Sequence, residues 1–301
     1  MKIAIIGAGA VGAWYGARLA LAGHDTHFVL RSDYDAVTRD GYLLRTAAGE
    51  ERLFPVNTHR ASATVGVCDL VVIALKATAN DQFAALLSPL VGPNTTVLTL
   101  QNGMGNTEKL AALFGIEKVM AGLCFVCLNR TAPGVIENFH AGRIAFAEGA
   151  GPATDRTRAI AKAFELAGVT VSVADSHEEI LWKKLCWNVP FNGLSIAAGG
   201  ITTDKIMASP ELVALSRALM EELRAAAKAR GFALSDKFIE AQFTVTRDMG
   251  AYKPSSLIDW LEHRPVEVDA IWGEPLRRGL AAGIPMPHLT TLHALLTALC
   301  K

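Results

Sequence analysis

The first residues, KIAIIGAGAVGAWYGARLALAG, constrain the fold of this chain more than any other segment. The apolar run KIAII is typical of a buried strand, and the stretch after the glycines predicts a helix that ends at Gly23. The connecting GAGAVG has the spacing that a dinucleotide site needs: a tight turn, then backbone bare enough for a pyrophosphate, then close packing of helix on strand. The N-terminus of the helix adds N–H donors and the positive end of a dipole. The predicted cofactor-binding residues in this turn are Gly7, Ala8, Gly9, Ala10, Val11 and Gly12.

The end of the second predicted strand, DTHFVL, indicates which dinucleotide is bound. NAD-binding proteins usually place an acid there, which accepts a hydrogen bond from the ribose 2′-hydroxyl. This chain has Arg31 at that position, followed by Ser32 and Asp33. A guanidinium can pair bidentately with the 2′-phosphate of NADP(H), which an acid would repel. The pattern favours NADP(H) as the cofactor; the alternative is an ordinary surface arginine, and the nearby Asp33 weighs against the choice.

Strand and helix patterns alternate through the first half of the chain. CDLVVIAL, TTVLTL, VMAGLCFVCL and VTVSV predict further strands, with helical patterns such as DRTRAIAKAFELAG between them. Strands separated by helices imply a parallel, doubly wound sheet of the Rossmann type. GVIENFH and GRIAFAE, joined through Ala141 and Gly142, predict an antiparallel hairpin added to this sheet.

After Asp175 the strand patterns stop and helical patterns follow one another. In SPELVALSRALMEELRAAAKARG, Ser209 is the predicted N-cap and Gly231 the stop. The predicted fold class is α/β, an N-terminal Rossmann-type doubly wound sheet followed by an all-helical C-terminal domain. We expect residues 1–175 to bind the dinucleotide and residues 176–301 to form the substrate and catalytic domain.

The composition excludes several classes of function. The chain has 301 residues with 29 basic and 29 acidic side chains, so it has no electrostatic footprint for nucleic acid or an anionic membrane. Its five cysteines, scattered through apolar segments, are typical of buried thiols in a reducing compartment, and no histidine pattern predicts a metal site. No apolar stretch reaches the roughly 18 residues of a membrane span, and the first residues lack the features of a signal peptide. We therefore expect a cytoplasmic protein.

The run WKKLCWNVPFNG carries the most unusual polar pattern in the chain. Lys184, Asn188 and Asn192 are spaced by four, so they lie along one face of a predicted helix that is otherwise apolar and aromatic. An unpaired polar group on a buried face costs roughly 1–3 kcal/mol, so these side chains need polar partners from the protein or from a ligand. We interpret this stripe as one wall of a cleft between the two predicted domains.

Such a stripe suits the hydride reduction of a ketone. The carbonyl oxygen gains negative charge as the hydride arrives, so a proton donor must lie within hydrogen-bond reach. A lysine in a partly desolvated cleft can play that part, and Lys184 is the best candidate. The alternative is a snorkelling surface lysine like its neighbour Lys183. Asn188 and Asn192 would then hold hydroxyl or carbonyl groups of the substrate.

Further candidate residues lie elsewhere in the chain. Lys76 and Asn102 each follow a predicted strand, where ligands bind in open α/β sheets, although either could be part of a surface turn. KPSSLIDWLEHRPVEVDAIWG offers Ser256 and two acids, Glu267 and Asp269. A carboxylate near the lysine would keep it protonated and accept from a substrate hydroxyl. The spacing does not choose between the two acids.

Together these residues resemble one known family. The chain is similar to the ketopantoate reductases (2-dehydropantoate 2-reductases) in GAGAVG, FVLR, LK, QNG, WKKLCWNVPFNGL and SSL followed by VEVDAIWG, over nearly its whole length. The resemblance implies NADPH-dependent reduction of 2-dehydropantoate to pantoate for pantothenate and coenzyme A synthesis. It implies that Lys184 is the general acid and that Glu267 takes part in substrate binding and catalysis. It assigns to the substrate Asn102, Asn188, Asn192 and Ser256, and to the cofactor Arg31, Lys76 and Asn102.

Two positions depart from the family pattern. Trp272 precedes Gly273 where the family commonly has asparagine, and Pro190 stands inside the lysine–asparagine stripe, where it predicts a kinked helix. Both changes can reshape the substrate pocket without altering hydride chemistry, so an NADPH-dependent reductase of another 2-keto acid is one alternative. A non-catalytic NADP(H)-sensing protein is the other. The expected partner is a small 2-keto acid, and the sequence leaves open whether two copies of the chain form a homodimer.

Overall fold

The structure is a computed structural model that describes residues 1–138 and 142–301. The chain divides into two compact units. The first consists of Met1–Gln101 and Asn106–His177, and the second of Asn102–Gly105 and Glu178–Lys301. The short segment Asn102–Gly105 therefore belongs to the second unit, although its neighbours along the chain lie in the first.

The first unit combines strands and helices. Its strands are β1 (Lys2–Ile6), β2 (Asp25–Val29), β3 (Tyr42–Thr46), β4 (Gly49–Leu53), β5 (Asn57–His59), β6 (Leu70–Ile73), β7 (Thr96–Thr99), β8 (Val119–Phe125), β9 (Asn129–Ala132), β10 (Val135–Asn138), β11 (Arg143–Glu148) and β12 (Thr170–Val173). Its helices are α1 (Ala10–Leu21), α2 (Tyr34–Asp40), α3 (Phe83–Leu87), α4 (Asn106–Phe114) and α5 (Asp155–Leu166).

Eight of these strands form one large sheet in the order β12-β11-β8-β7-β6-β1-β2-β5. From β5 to β8 the strands are parallel, and their order is that of dinucleotide-binding folds, with β1 at the point where the chain changes direction across the sheet. Ile6 pairs with Val29 on one side and with Ile73 on the other, so the carboxyl ends of β1, β2 and β6 lie at the same edge. The predicted Rossmann-type sheet is confirmed.

The central strands β1, β6 and β7 of the large sheet are buried on both faces, as their continuous apolar residues predict. Ile3 and Ile5 of β1 pack in one cluster with α1 and α5, whereas Ala4 and Ile6 pack in a second cluster with α3 and α4. Alternate residues of a strand point to opposite faces, so β1 supplies both cores. Burial on both sides fixes the strand ends, and thereby the turns that follow them.

The predicted hairpin is wrong. Its first strand, β10, lies in a separate four-stranded sheet of order β4-β3-β10-β9, where it pairs parallel with β3 and antiparallel with β9. Its second strand, β11, pairs antiparallel with β8 in the large sheet. The proposed connection at Ala141 lies outside the described residues. The apolar pattern identified both strands, but it contains no information on which strand each one pairs with, and the second sheet was not predicted.

The second unit is built from helices. They are α6 (His177–Ala197), α7 (Thr203–Ala208), α8 (Pro210–Ala229), α9 (Asp236–Met249), α10 (Ser255–Leu261), α11 (Glu274–Ala281) and α12 (Pro287–Leu299), with a π-helical turn at Asp269–Gly273. The predicted cap at Ser209 is confirmed, because its hydroxyl accepts from the backbone N–H of Leu212 at 3.2 Å. No helix within the described part of the chain is both long and apolar enough to cross a bilayer.

Candidate active site

The turn between β1 and α1 has the geometry that a bound pyrophosphate requires. Gly7 has a positive φ of 90°, and a Cβ there would lie 2.5 Å from the backbone nitrogen of Leu75. A Cβ on Gly12 would lie 2.4 Å from the carbonyl oxygen of Gly7, so the helix packs tightly on the turn. A Cβ on Gly9 would meet no atom within 4 Å. Gly7 and Gly12 are thus required by close packing within the protein. Gly9 leaves the backbone at the N-terminus of α1 accessible, which fits a dinucleotide phosphate.

The loop after β2 carries the residues expected to choose between NAD and NADP. Arg31 and Ser32 are exposed, whereas Asp33 is only 5% exposed. Arg130 of β9 donates through Nη1 to Asp33 Oδ1 at 2.5 Å, and Ser32 Oγ donates to the same oxygen at 2.9 Å. The acid that weighed against NADP(H) in the sequence is therefore buried and paired with a cation. Sequence reasoning missed Arg130, because nothing local to NRTA links it to a loop 97 positions away.

Lys76 lies at the same edge of the sheet as the glycine turn. It follows β6, whose last residue Ile73 pairs with Ile6 of β1, and its side chain is exposed. Its backbone is extended, with φ −65° and ψ 142°, just before a 3₁₀ turn at Ala77–Gln82. The structure thus brings Lys76 to the edge where the sequence predicts cofactor binding.

A buried chain of side-chain amides follows β6 and β7. Gln101 donates to Asn80 Oδ1 at 2.8 Å, and Asn80 donates to Asn106 Oδ1 at 2.7 Å. Thr99 donates to Gln101 Oε1 at 3.0 Å, and all four side chains are less than 10% exposed. This network fixes Gln101 and Asn106, the residues on either side of Asn102–Gly105 in the chain. Nothing in the sequence ATAND singles out Asn80, because a lone asparagine there is typical of a turn.

The stripe predicted on α6 lies on a buried face of that helix. Lys184 and Asn188 are each 8% exposed and Asn192 is 2% exposed. Lys184 Nζ donates to Asn102 Oδ1 at 2.6 Å. The neighbouring Lys183 is half-exposed and pairs with Glu179 one turn earlier at 2.6 Å. The two adjacent lysines therefore differ sharply: one makes a surface ion pair, and the other is buried beside a carboxamide.

The segment that carries Asn102 is held against the π-helical turn. Gly103 has a φ of 81°, and a Cβ there would lie 2.4 Å from the carbonyl oxygen of Ala270. The backbone N–H of Met104 donates to that same oxygen at 2.8 Å. Only glycine fits at position 103, since both the positive φ and the close approach exclude a side chain. The QNG sequence therefore sets the position of Asn102, and through it that of the Lys184 ammonium.

Asn192 and Ser256 are also brought together. Asn192 Oδ1 accepts from the backbone N–H of Ser256 at 3.1 Å, in the first turn of α10, and Ser256 is 3% exposed. Among the described residues the Asn188 carboxamide has no hydrogen-bond partner, although it is only 8% exposed. Its donors and acceptor suit a polar ligand.

The two acids that the spacing could not separate lie in different environments. Glu267 is 4% exposed and lies two residues before the π-helical turn begins at Asp269. Asp269 is exposed, and its Oδ1 accepts from Arg277 Nη1 at 2.8 Å. An exposed carboxylate paired with a surface arginine is an ordinary surface ion pair. Burial thus favours Glu267 as the acid of the site.

The two departures from the family pattern are adjacent in space. Trp272 is fully buried, and its indole N–H donates to the carbonyl oxygen of Val189, the residue before Pro190, at 2.9 Å. A Cβ on Gly193 would lie 2.8 Å from the Trp272 nitrogen, so the indole packs directly on α6. Helix α6 continues through Pro190. Trp272 has no exposed surface to offer a substrate, and it contacts α6 directly.

The cysteines and the titratable clusters give no sign of other chemistry. All five cysteines are free; three are buried and Cys127 and Cys300 are partly exposed, so the expectation of buried thiols holds for three. Burial raises the pKa of the Cys186 thiol to about 12, which keeps it neutral. Within residues 1–138 and 142–301, no group of three or more His, Cys, Asp or Glu side chains is placed to hold a metal ion.

Two family models together match most of the chain. Residues 3–151 match the family model described as ketopantoate reductase PanE/ApbA, and residues 176–299 match the model of its C-terminal part. A 2-dehydropantoate 2-reductase of Nostoc sp. is 39% identical over 297 residues, which cover 97% of this chain and 93% of that protein. The crystal structure of 2-dehydropantoate 2-reductase from Geobacter metallireducens matches with a TM-score of 0.96 at 41% identity, covering 99% of both chains. That from Methylococcus capsulatus matches with a TM-score of 0.91 at 34% identity, covering 99% of this chain and 96% of that one.

Proposed function

This chain belongs to the ketopantoate reductase family, and from that premise we propose that it reduces 2-dehydropantoate to pantoate with NADPH, a step of pantothenate and coenzyme A biosynthesis. The observation that carries the proposal is the buried Lys184, held by Asn102 on a helix face that it shares with Asn188 and Asn192. The sequence predicted these residues, and the family supplies the reaction they would serve.

Lys184 acts as the general acid in this proposal. When bound, NADPH supplies a hydride to the C2 carbon of the ketone. As the C2=O double bond becomes a single bond, its oxygen gains negative charge and takes a proton from Lys184 Nζ, which gives the C2 hydroxyl of pantoate. The amine then regains a proton from water. Asn102 accepts one of the three N–H donors of the ammonium, and so fixes the direction from which the proton is given.

The remaining side chains of the site position the substrate. Asn188 has an unused carboxamide close to Lys184 on the same helix face, suited to a hydroxyl or carboxylate of the keto acid. Asn192 is anchored through the backbone of Ser256, which leaves its NH₂ group to donate. Glu267 accepts from a substrate hydroxyl in this proposal, and its burial strengthens that bond by lowering the local dielectric.

The first unit binds the cofactor in this proposal. The open backbone at Gly9 and the N-terminus of α1 receive the pyrophosphate. Arg31 pairs with the 2′-phosphate, and Lys76 adds a second cation at the same sheet edge. A cytoplasmic location, expected from the sequence, and a homodimer complete the proposal. Size-exclusion chromatography with light scattering tests the dimer, which a monomeric mass would refute.

The direct test follows NADPH absorbance with 2-dehydropantoate beside a panel of aliphatic and aromatic 2-keto acids. We expect 2-dehydropantoate to give the highest kcat/KM of the panel. A preference for another keto acid would keep the mechanism but change the substrate. Tight NADPH binding without turnover of any member would support the sensing alternative and refute the proposed reaction.

A further inference from the structure

The loop that follows β2 contains an acid in an unusual setting. Asp33 is 5% exposed, its Oδ1 accepts from Arg130 and from Ser32, and its Oδ2 is buried with no hydrogen-bond partner among the described residues. The hydroxyl of Tyr42, also buried, has no partner within that part of the chain either. Burial is the main cause that raises the pKa of Tyr42, and the Asp33 carboxylate adds to it. Arg130 thus supplies most of the stabilisation of the buried Asp33 carboxylate.

This setting matters because of where the loop lies. Arg31 and Asp33 are two residues apart, so their Cα atoms are no more than about 7.6 Å from each other. A carboxylate on the same short loop opposes a phosphate that binds to Arg31, since like charges repel. An uncompensated Asp33 would therefore shift preference toward NAD, whose ribose hydroxyl donates to an acid.

Arg130 reaches this loop from the second sheet. Its Nη1 lies 2.5 Å from Asp33, yet its side chain remains 40% exposed, so part of the guanidinium faces solvent. A guanidinium has five donors in a fixed planar fork, and one of them goes to Asp33. The exposed donors lie beside the loop that carries Arg31 and Ser32.

We propose that Arg130 is a specificity-determining residue for NADP(H): it neutralises Asp33 and presents a second guanidinium to the 2′-phosphate beside Arg31. Strand β9 of the second sheet thus places Arg130 at the loop that follows β2. The inference rests on the proposed function only in taking NADP(H) as the cofactor.

The test measures binding of cofactor fragments to the full-length protein without any keto acid. Calorimetric titration with adenosine 2′,5′-bisphosphate and with 5′-AMP isolates the 2′-phosphate. Arg130→Ala should weaken the bisphosphate about 10- to 100-fold, the range for loss of a charge-assisted hydrogen bond, and leave 5′-AMP within about twofold. Adding Asp33→Asn to Arg130→Ala should restore part of the lost bisphosphate affinity, because the unpaired carboxylate is then absent. Arg39→Ala, which removes an exposed arginine paired with Asp40 at the far end of α2, is the matched control and should change neither ligand.

Equal losses for both ligands, or no loss for the bisphosphate, would overturn the proposal and leave Arg130 a structural residue. A double variant no better than Arg130→Ala would overturn the neutralising role. If Arg130→Ala does not fold, Arg130→Lys keeps the charge without the fork and should still weaken only the bisphosphate, by a smaller factor; unchanged bisphosphate binding would count against the proposal. Wild-type protein that bound both fragments equally would contradict the choice of NADP(H) itself, a failure distinct from that of Arg130.

Discussion

Replacing Trp272 with phenylalanine tests how the two unusual positions of this chain depend on each other. The indole is fully buried, packs on Gly193 and donates to the carbonyl oxygen of Val189, directly before Pro190. A proline inside a helix removes one backbone hydrogen bond and strains the turn before it. The indole N–H of Trp272 bonds to this helix directly beside the proline, and phenylalanine removes that bond while keeping an aromatic ring.

The expected loss has two parts. A net intramolecular hydrogen bond contributes about 1 kcal/mol to stability. The apolar part of the indole that phenylalanine lacks corresponds to about two buried carbons, or roughly 1.5 kcal/mol. We therefore expect Trp272→Phe to lower the free energy of unfolding by about 2.5 kcal/mol, and the Tm of the helical unit by roughly 5–10 °C. Because Trp272 has no exposed surface, the order of preference among 2-keto acids should change little.

Differential scanning calorimetry measures the Tm, and the NADPH assay with the keto acid panel measures preference. The matched control is Trp260→Phe, which removes an indole N–H bond to Leu299 at an exposed place and should cost less than about 1 kcal/mol. Equal effects of the two substitutions would refute the reasoning on Trp272. So would an unchanged Tm with a reordered substrate preference, since that would place the indole at the substrate.

Three further predictions concern single residues. Arg31→Ala should weaken NADPH binding much more than NADH binding, by about 10-fold or more; equal losses in a fluorescence titration would remove the phosphate assignment. Glu267→Gln should lower kcat/KM for 2-dehydropantoate, whereas the control Asp269→Asn should leave it nearly unchanged. A larger loss for Asp269→Asn than for Glu267→Gln would assign the role to Asp269 instead. Glu148 is 2% exposed: burial raises its pKa, but bonds from Arg156, Thr157 and Thr154 outweigh burial and hold the pKa below its usual range. As pH falls, the unfolded chain therefore protonates Glu148 before the folded protein does. The stability that the ionised Glu148 contributes is present above the ordinary glutamate pKa and is lost as pH drops through the lower pKa of the folded protein. Glu148→Gln should make the free energy of unfolding depend less on pH in that window, and equal pH dependence in variant and wild type would contradict the assignment.

The sequence predicted those features that depend on residues near each other in the chain. The glycine turn, the apolar strand β1, the cap at Ser209 and the stripe on α6 each depend on residues close together in the chain, and the structure has all of them. The family resemblance is confirmed as well, because it rested on spaced polar residues such as Lys184 and Asn192.

The sequence did not predict the contacts between segments that lie far apart in the chain. The apolar pattern of β10 and β11 could not say that they join different sheets. Nothing near Arg130 indicates Asp33 as its partner, and only burial separates Glu267 from Asp269. Each of these depends on which chain segments meet in space, which local propensity does not encode.

Lys184 gives the proton in the proposed reaction. The most direct measurement compares the rate of 2-dehydropantoate reduction at saturating NADPH for Lys184→Ala and for Lys183→Ala, its surface neighbour paired with Glu179, with NADPH affinity measured in parallel. We predict a fall of about 10²–10⁴-fold for Lys184→Ala with NADPH affinity nearly unchanged, and a near-normal rate for Lys183→Ala. A near-normal rate for Lys184→Ala would contradict the account.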